Sequence, residues 1–172
     1  MRLPIAVLIC ASVSLPALAE TPTERGLYLV TLSGCNDCHT PGALMGKPDE
    51  TQRIAGSDVG FGDPASGVVV GPNLTPDRET GLGSWSDAQI IAALTRGVDK
   101  GGRKLSPVMP WPALSHLTPE DASAIVAYLR SLPPVKRATP DPFKPGEPVS
   151  VAVSVVVPPS VYKGLPNPMP AK

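Results

Sequence analysis

Two cysteines and a histidine within five positions, Cys35, Cys38 and His39, are the residues best suited to chemistry. Their pattern, C-x-x-C-H, is the attachment signature of c-type haem. Two thiols three positions apart can each form a thioether with one of the two haem vinyl groups, and the adjacent imidazole is then carried to the iron as its proximal ligand. The motif therefore predicts one haem c, attached through both cysteines and ligated by His39.

Two other kinds of site use similar residues. A thioredoxin-like dithiol needs a βαβ pattern around its cysteines, and the sequence shows none. A zinc site needs further Cys or His residues at ligand spacing, whereas the only other histidine is His116. Haem attachment is the chemistry that the motif favours.

The second axial ligand decides the function, because a closed six-coordinate iron passes electrons whereas an open one binds or activates small molecules. Met45 lies only six residues past His39 and would have to swing to the opposite face of the ring. Met109 lies in a loop that neighbouring prolines stiffen, and we predict that it ligates the iron; a methionine that only fills a core gap is the alternative. The remaining candidates are Met169, in the C-terminal segment, and His116.

The composition also points to a large bound group. The 172 residues include 23 prolines and 16 glycines but only two Trp, three Tyr and two Phe, so few large side chains are available to fill a core. A buried macrocycle would add apolar area that stabilises the fold by about 25 cal/mol per Å². A formal net charge of zero excludes the strongly basic character of most nucleic-acid-binding domains.

Three helices are predicted to position these residues. The first begins at Pro22 after a capping box and delivers the chain to Cys35. The second begins after Ser86 and ends at Gly97, and the third runs over 118–132. The connections, 41–71 and 100–112, are predicted as loops, the first with a short extended piece at 68–70.

Both ends of the chain differ from this central part. Residues 1–19 have Arg2, an apolar stretch and an A-x-A pattern, which predict a secretory signal peptide cleaved after Ala19 and hence a periplasmic protein. An N-terminal membrane anchor is the alternative, but the stretch is short and contains prolines. We assign 20–135 to the domain and 136–172 to a Pro-rich extended tail, in which the valine-rich run 149–157 is a possible partner-docking strand.

Several segments together resemble class I cytochromes c, and among them the cytochrome subunits of periplasmic alcohol and gluconate dehydrogenases. The resemblance covers roughly residues 24–135. It implies an all-α cytochrome c fold, with three to four short helices around one covalently bound haem. The segments that carry it are the C-x-x-C-H motif, 71–77, 83–87, Met109-Pro110 and 127–132.

The resemblance also implies roles for single residues. The Pro72 carbonyl would accept the Nδ1 hydrogen of His39, and Trp85 would donate its indole hydrogen to a haem propionate, unless Trp85 only packs at a helix start. Two further pairs are implied: Gly26 with Tyr128 where the first and last helices cross, and Ile90 with Leu94 on the haem face. The loop 41–71 is longer than in the shortest members, and the tail after 135 resembles nothing in the family.

These expectations describe an electron-transfer protein rather than an enzyme. It would carry single electrons between a periplasmic dehydrogenase and the respiratory chain, through an oxidase or another cytochrome, as a free carrier or a dehydrogenase subunit. It would bind no nucleic acid and would not span the membrane after signal cleavage. A haem enzyme or small-gas sensor with a labile sixth iron ligand is the alternative, although it needs distal acid-base groups.

A cluster of basic residues precedes the Met109 loop and is expected to steer an acidic partner, or else to be an ordinary solvated face. Its members are Arg96, Lys100, Arg103 and Lys104, offset by Asp99.

Overall fold

A computed structural model describes residues 19–63 and 67–164. The predicted signal peptide, apart from Ala19, and Met169 lie outside these residues. Among the residues described, no helix has the length and apolar character needed to cross a membrane.

The first two helices bring the cysteines and the histidine into place. Helix α1 (Pro22–Leu32) begins at the predicted capping box, in which the Thr21 hydroxyl accepts from the backbone N–H of Glu24 and the Glu24 carboxylate accepts from that of Thr21. Gly34, with φ of 66°, lets the chain turn sharply into the short helix α2 (Cys35–His39). The left-handed glycine therefore separates α2 from α1 and sets its direction.

The other predicted helices are also confirmed. Helix α3 (Asp87–Arg96) begins at a capping box between Ser86 and Gln89 and ends at the left-handed Gly97. A single turn, α4 (Trp111–Leu114), follows the Met109 loop, and α5 (Pro119–Ser131) begins at the Thr118 cap. Short 3₁₀ turns lie at Ala43–Met45, Glu50–Gln52 and Leu82–Ser84.

The core forms where α1 crosses α5. Gly26 is buried there, and a Cβ at this position would overlap the Ala124 carbonyl oxygen and lie 2.6 Å from Tyr128 Cβ. The implied pairing of Gly26 with Tyr128 is thus present, because only glycine permits so close an approach. The buried aliphatic side chains around the crossing include Leu29, Val30, Ile54, Ile90, Leu94, Ile125, Val126 and Leu129.

We expected an all-α fold, but a small sheet accompanies the helices. Strand β1 (Val59–Asp63) pairs antiparallel with β2 (Gly67–Val70) and parallel with β3 (Ala152–Ser154). The extended piece predicted at 68–70 lies in β2. The sequence analysis missed strand β1, because its glycines interrupt the alternation of side chains that is typical of a strand. Glycine is required at position 60, since a Cβ there would collide with Val68 on β2.

The C-terminal segment is joined to the rest of the structure by this sheet. The valine-rich run 149–157 forms only the three-residue strand β3, whose partner is β1 of the same chain. Backbone hydrogen bonds between Val68 and Phe143 attach the preceding segment to β2. A final turn, α6 (Pro159–Tyr162), follows β3.

The helix crossing gives a direct test by substitution. We expect Gly26→Ala to destabilise the protein by about 1–3 kcal/mol or more, because the added methyl has no space beside the Ala124 carbonyl. Gly101→Ala is the matched control, since a Cβ there meets nothing closer than Asp99 Oδ1 at 3.4 Å. Urea unfolding followed by circular dichroism measures both variants, and equal stability of the two would contradict the close packing.

An ion pair across the same crossing predicts a pH dependence. Arg25 Nε donates to Asp121 Oδ1 at 2.8 Å, and this hydrogen bond lowers the pKa of Asp121. Because the folded pKa lies below that of the unfolded chain, the pair stabilises above about pH 4 and is lost as the pH falls through the folded value. We expect Asp121→Asn to lower the melting temperature at pH 7 and to leave it unchanged at strongly acidic pH.

Candidate haem-binding site

The imidazole of His39 is held in one orientation. It is buried, and its Nδ1 lies 2.7 Å from the Pro72 carbonyl oxygen. A carbonyl can only accept, so Nδ1 carries the hydrogen and Nε2 keeps its lone pair. Burial lowers the pKa of His39, although the bond to Pro72 opposes this effect, and the ring is therefore neutral near pH 7. A neutral imidazole with Nδ1 already bonded is the form that ligates a metal through Nε2.

Close backbone contacts hold α2 against the segment that carries Pro72. A Cβ on Gly71 would overlap the Cys38 carbonyl oxygen and lie 3.3 Å from His39 Nδ1. On the other side, the Gly56 N–H donates to the His39 carbonyl at 2.7 Å. Sequence reasoning singled out Pro72 but gave no role to Gly71 or Gly56, whose requirement for glycine appears only when the segments meet.

The two cysteines do not have the properties of a reactive dithiol. Cys35 and Cys38 are both half-buried free thiols. Burial raises the pKa of Cys35 to about 11, and burial also raises the pKa of Cys38. The reactive cysteines of dithiol oxidoreductases have lowered pKa values instead, so the alternative of a thioredoxin-like dithiol has no support here.

Side chains from distant parts of the chain pack against the same apolar core as Cys35. Cys35, Trp85 and Met109 are far apart in sequence, yet each is half-buried and packs against the same core. Ile90 and Leu94 are buried members of that core. The structure thus places the predicted haem-face residues in one apolar region with the cysteine. The other half-buried side chains packed there are Leu74, Ile91, Leu117 and Leu132.

The Met109 loop is fixed by its neighbours. The Trp111 N–H donates to the Met109 carbonyl at 2.7 Å, and the Trp111 ring fills the space that a Cβ on Gly97 would need. Lys104 Nζ lies 4.9 Å from the centre of the same ring. Trp111 Nε1 is buried and has no hydrogen-bond partner among residues 19–63 and 67–164. Sequence reasoning missed Trp111, for which the adjacent Met-Pro dipeptide was the available signal.

The remaining candidate ligands are less suitable. Met45 is 67% exposed on its 3₁₀ turn, and His116 is exposed after α4. Neither packs against the core beside Cys35. Among the candidates in the part of the chain that the structure describes, Met109 is the one that packs against the same core as Cys35.

Trp85 is positioned by an arginine that the sequence reasoning did not single out. The Arg130 guanidinium donates to the carbonyls of Leu82 and Trp85 and to the carboxylate of Asp87. Lys100 Nζ lies 5.9 Å from the centre of the Trp85 ring and 3.1 Å from the Ser84 hydroxyl. Arg130 thus ties α5 to the start of α3, where Trp85 lies.

These features fit a haem c. The short helix α2 offers two free thiols and an imidazole whose Nε2 keeps its lone pair, and the core against which Cys35 packs is apolar, as a macrocycle requires. The fit rests on the donor groups and their surroundings in this chain.

Comparison with known proteins identifies relatives among dehydrogenase subunits. The fructose dehydrogenase cytochrome subunit of Gluconobacter japonicus is 37% identical over 113 residues, 64% of this chain and 22% of that protein. The cytochrome c subunit of the quinone alcohol dehydrogenase of Gluconacetobacter polyoxogenes is 36% identical over 132 residues, 73% of this chain and 26% of that protein. The gluconate 2-dehydrogenase cytochrome c subunit of Pantoea cypripedii is 30% identical over 143 residues, 80% of this chain and 30% of that protein.

This chain therefore spans less than a third of the length of each of these relatives. The profile of the family described as cytochrome c matches residues 24–133, which include most of α1 together with α2, the Met109 loop and α5. The match contains every residue that we placed at the site, from Cys35 to Met109. The chain belongs to the cytochrome c family.

Proposed function

We propose that this protein is a periplasmic monohaem cytochrome that carries single electrons from a dehydrogenase to the respiratory chain, through an oxidase or another cytochrome. It acts as a free carrier or as the electron-accepting subunit of a dehydrogenase. The observation that carries the proposal is the buried His39 imidazole, bonded to Pro72 and adjacent to two free thiols. The dehydrogenase subunits among its relatives support the choice of partner.

Each site residue has a proposed task. Cys35 and Cys38 attach the group covalently, and one C-x-x-C-H motif means one haem. His39 and Met109 are the two axial ligands. When bound, the haem supplies an iron that alternates between the ferrous and ferric states without making or breaking bonds to a substrate. We propose that Pro72 holds the ring of His39 and that Trp85, Ile90 and Leu94 contact the haem.

The protein's own residues hold the two ligands in place and exclude water while the iron changes its oxidation state. The Pro72 carbonyl fixes the ring plane of His39 and increases the basicity of Nε2. The bond from Trp111 to the Met109 carbonyl keeps the loop in place, so that the thioether stays in position in both oxidation states. The apolar side chains of the core exclude water, and a methionine ligand raises the reduction potential.

Catalysis at an open iron site is less well supported. Such a site needs an acid-base group near a free coordination position. His116, the only histidine besides His39, is exposed and does not pack with the core. Electron transfer is therefore the function that the arrangement of residues favours.

The basic residues near the Met109 loop are proposed to steer an acidic partner. Arg103 is already paired with Asp99 at 2.9 Å, whereas Lys100 and Lys104 lie over the rings of Trp85 and Trp111. The two lysines thus hold positive charge over Trp85, proposed to contact the haem, and over Trp111, which follows the proposed iron ligand closely in sequence. Charge placed in this way increases the rate of association at low ionic strength.

Covalent attachment is tested at the two thiols. We expect the double variant Cys35→Ser, Cys38→Ser to lose all covalent haem, because no thioether can form. Each single variant keeps one thiol and is the matched control. Haem stain after denaturing electrophoresis gives the measurement, and stain retained by the double variant would place the attachment elsewhere.

Axial ligation is tested at the methionines. We expect Met109→Ala to abolish the long-wavelength iron-sulfur charge-transfer band of the oxidised protein, to lower its reduction potential and to permit carbon monoxide binding when reduced. Met45→Ala removes an exposed thioether and should change none of these. If the band persists in Met109→Ala, another residue is the ligand.

A further inference from the structure

The segment after α5 folds back over the proximal side of the site. The family match ends at residue 133, and we call the following residues, 134–144, the strap. The segment it covers, residues 71–80, contains Pro72 and is called the proximal loop. Backbone groups of the strap bond to side chains of the proximal loop at three positions, which are described below.

Asn73 is the central contact. Its side chain is 1% exposed, and its Nδ2 donates to the Val135 carbonyl of the strap at 2.7 Å and to the Thr80 hydroxyl at 3.0 Å. Its Oδ1 accepts from the backbone N–H and the hydroxyl of Thr75. A buried amide with this many partners is held in one conformation, because turning it away would leave several buried polar groups unsatisfied.

Two threonines complete the join between the segments. The Val135 N–H of the strap donates to Thr75 Oγ1 at 3.1 Å. The Arg137 N–H donates to Thr80 Oγ1 at 3.0 Å. Both hydroxyls also contact Asn73, so the strap, the threonines and the buried amide form one network.

The strap also contacts the other peptide that holds His39. The Thr139 side chain occupies the space beside Gly56, where a Cβ would overlap its Cγ2. The Arg137 guanidinium lies 3.4 Å from the Ser57 carbonyl and 3.4 Å from Gln52 Oε1. Gly56 in turn donates its N–H to the His39 carbonyl.

A short covalent path connects this network to the imidazole. The Pro72 carbonyl and the Asn73 nitrogen belong to the same planar peptide, so anchoring Asn73 fixes the direction of the carbonyl. That carbonyl accepts the Nδ1 hydrogen of His39 at 2.7 Å. The strength of this bond sets how basic the imidazole is towards a metal at Nε2.

We propose that the strap is a positioning element for His39, acting through Asn73 and Gly56 to hold the His39–Pro72 hydrogen bond and so to set the reduction potential. The inference rests on the proposed ligation of haem by His39. It gives a function to residues beyond the family match, most of which, 136–144, the sequence analysis assigned to an extended tail. Thr75, Thr80 and Arg137 are positioning residues in this scheme.

The test uses Thr80→Val in the full-length, haem-loaded protein. The variant keeps the shape of the side chain but removes the oxygen that accepts from Asn73 and Arg137. We expect the Nδ1 hydrogen of His39 to exchange with solvent about tenfold faster in the reduced protein, the size of effect that one weakened hydrogen bond gives. The reduction potential should rise, because a less basic imidazole stabilises ferric iron less. Proton NMR and redox titration measure the two quantities.

Matched variants separate positioning from general stability. Thr95→Val removes a half-buried hydroxyl from α3, where it donates to the Ile91 carbonyl, and should leave both quantities unchanged. Thr80→Ser restores the oxygen and should restore both. Arg137→Leu keeps the backbone bonds of the strap but removes the guanidinium, and should shift both quantities in the same direction by less.

The outcomes distinguish this inference from the function on which it rests. If the wild-type protein takes up no covalent haem, the proposed function and this inference both fail. If it is loaded and ligated through His39, but Thr80→Val and Arg137→Leu keep the wild-type exchange rate and potential, only the inference is overturned. The strap would then stabilise the fold without acting on the site.

Discussion

The hydrogen bond from His39 Nδ1 to the Pro72 carbonyl is the interaction on which the rest of the structure depends. It joins a five-residue helix, too short to be stable alone, to a loop that has no regular structure of its own. Neither part could hold an imidazole in one tautomer and one orientation. Together they hold the imidazole in place, because the bond is buried and the close backbone contacts around it leave no space for the two segments to shift.

Glycines make this arrangement possible at each close contact. Gly26 lets α1 approach α5, and Gly71 lets the proximal loop lie directly on α2. A side chain at either position would push apart two segments that the site needs close together. The glycine content of the chain is thus partly a requirement of packing.

Loops carry Pro72, Trp85 and Met109, and each of these segments is anchored by a specific contact. The Met109 loop is held by Trp111, which packs on Gly97. The start of α3 is held by Arg130, and the proximal loop is held by the strap through Asn73. Membership of the cytochrome c family accounts for the motif and for the helices within the match, whereas one of these anchors, the strap, lies beyond the family match.

By itself, the sequence determined the features that depend on local spacing. The capping boxes at Thr21 and Ser86 set where α1 and α3 begin, and the spacing of Cys35, Cys38 and His39 set the attachment chemistry, because each works within a few residues. Only the tertiary structure decided that β1 and β3 pair and that the strap folds back onto Asn73. Those contacts join residues about 60 to 90 positions apart, and their hydrogen bonds involve backbone groups that every residue type carries, so no local pattern in the sequence marks them.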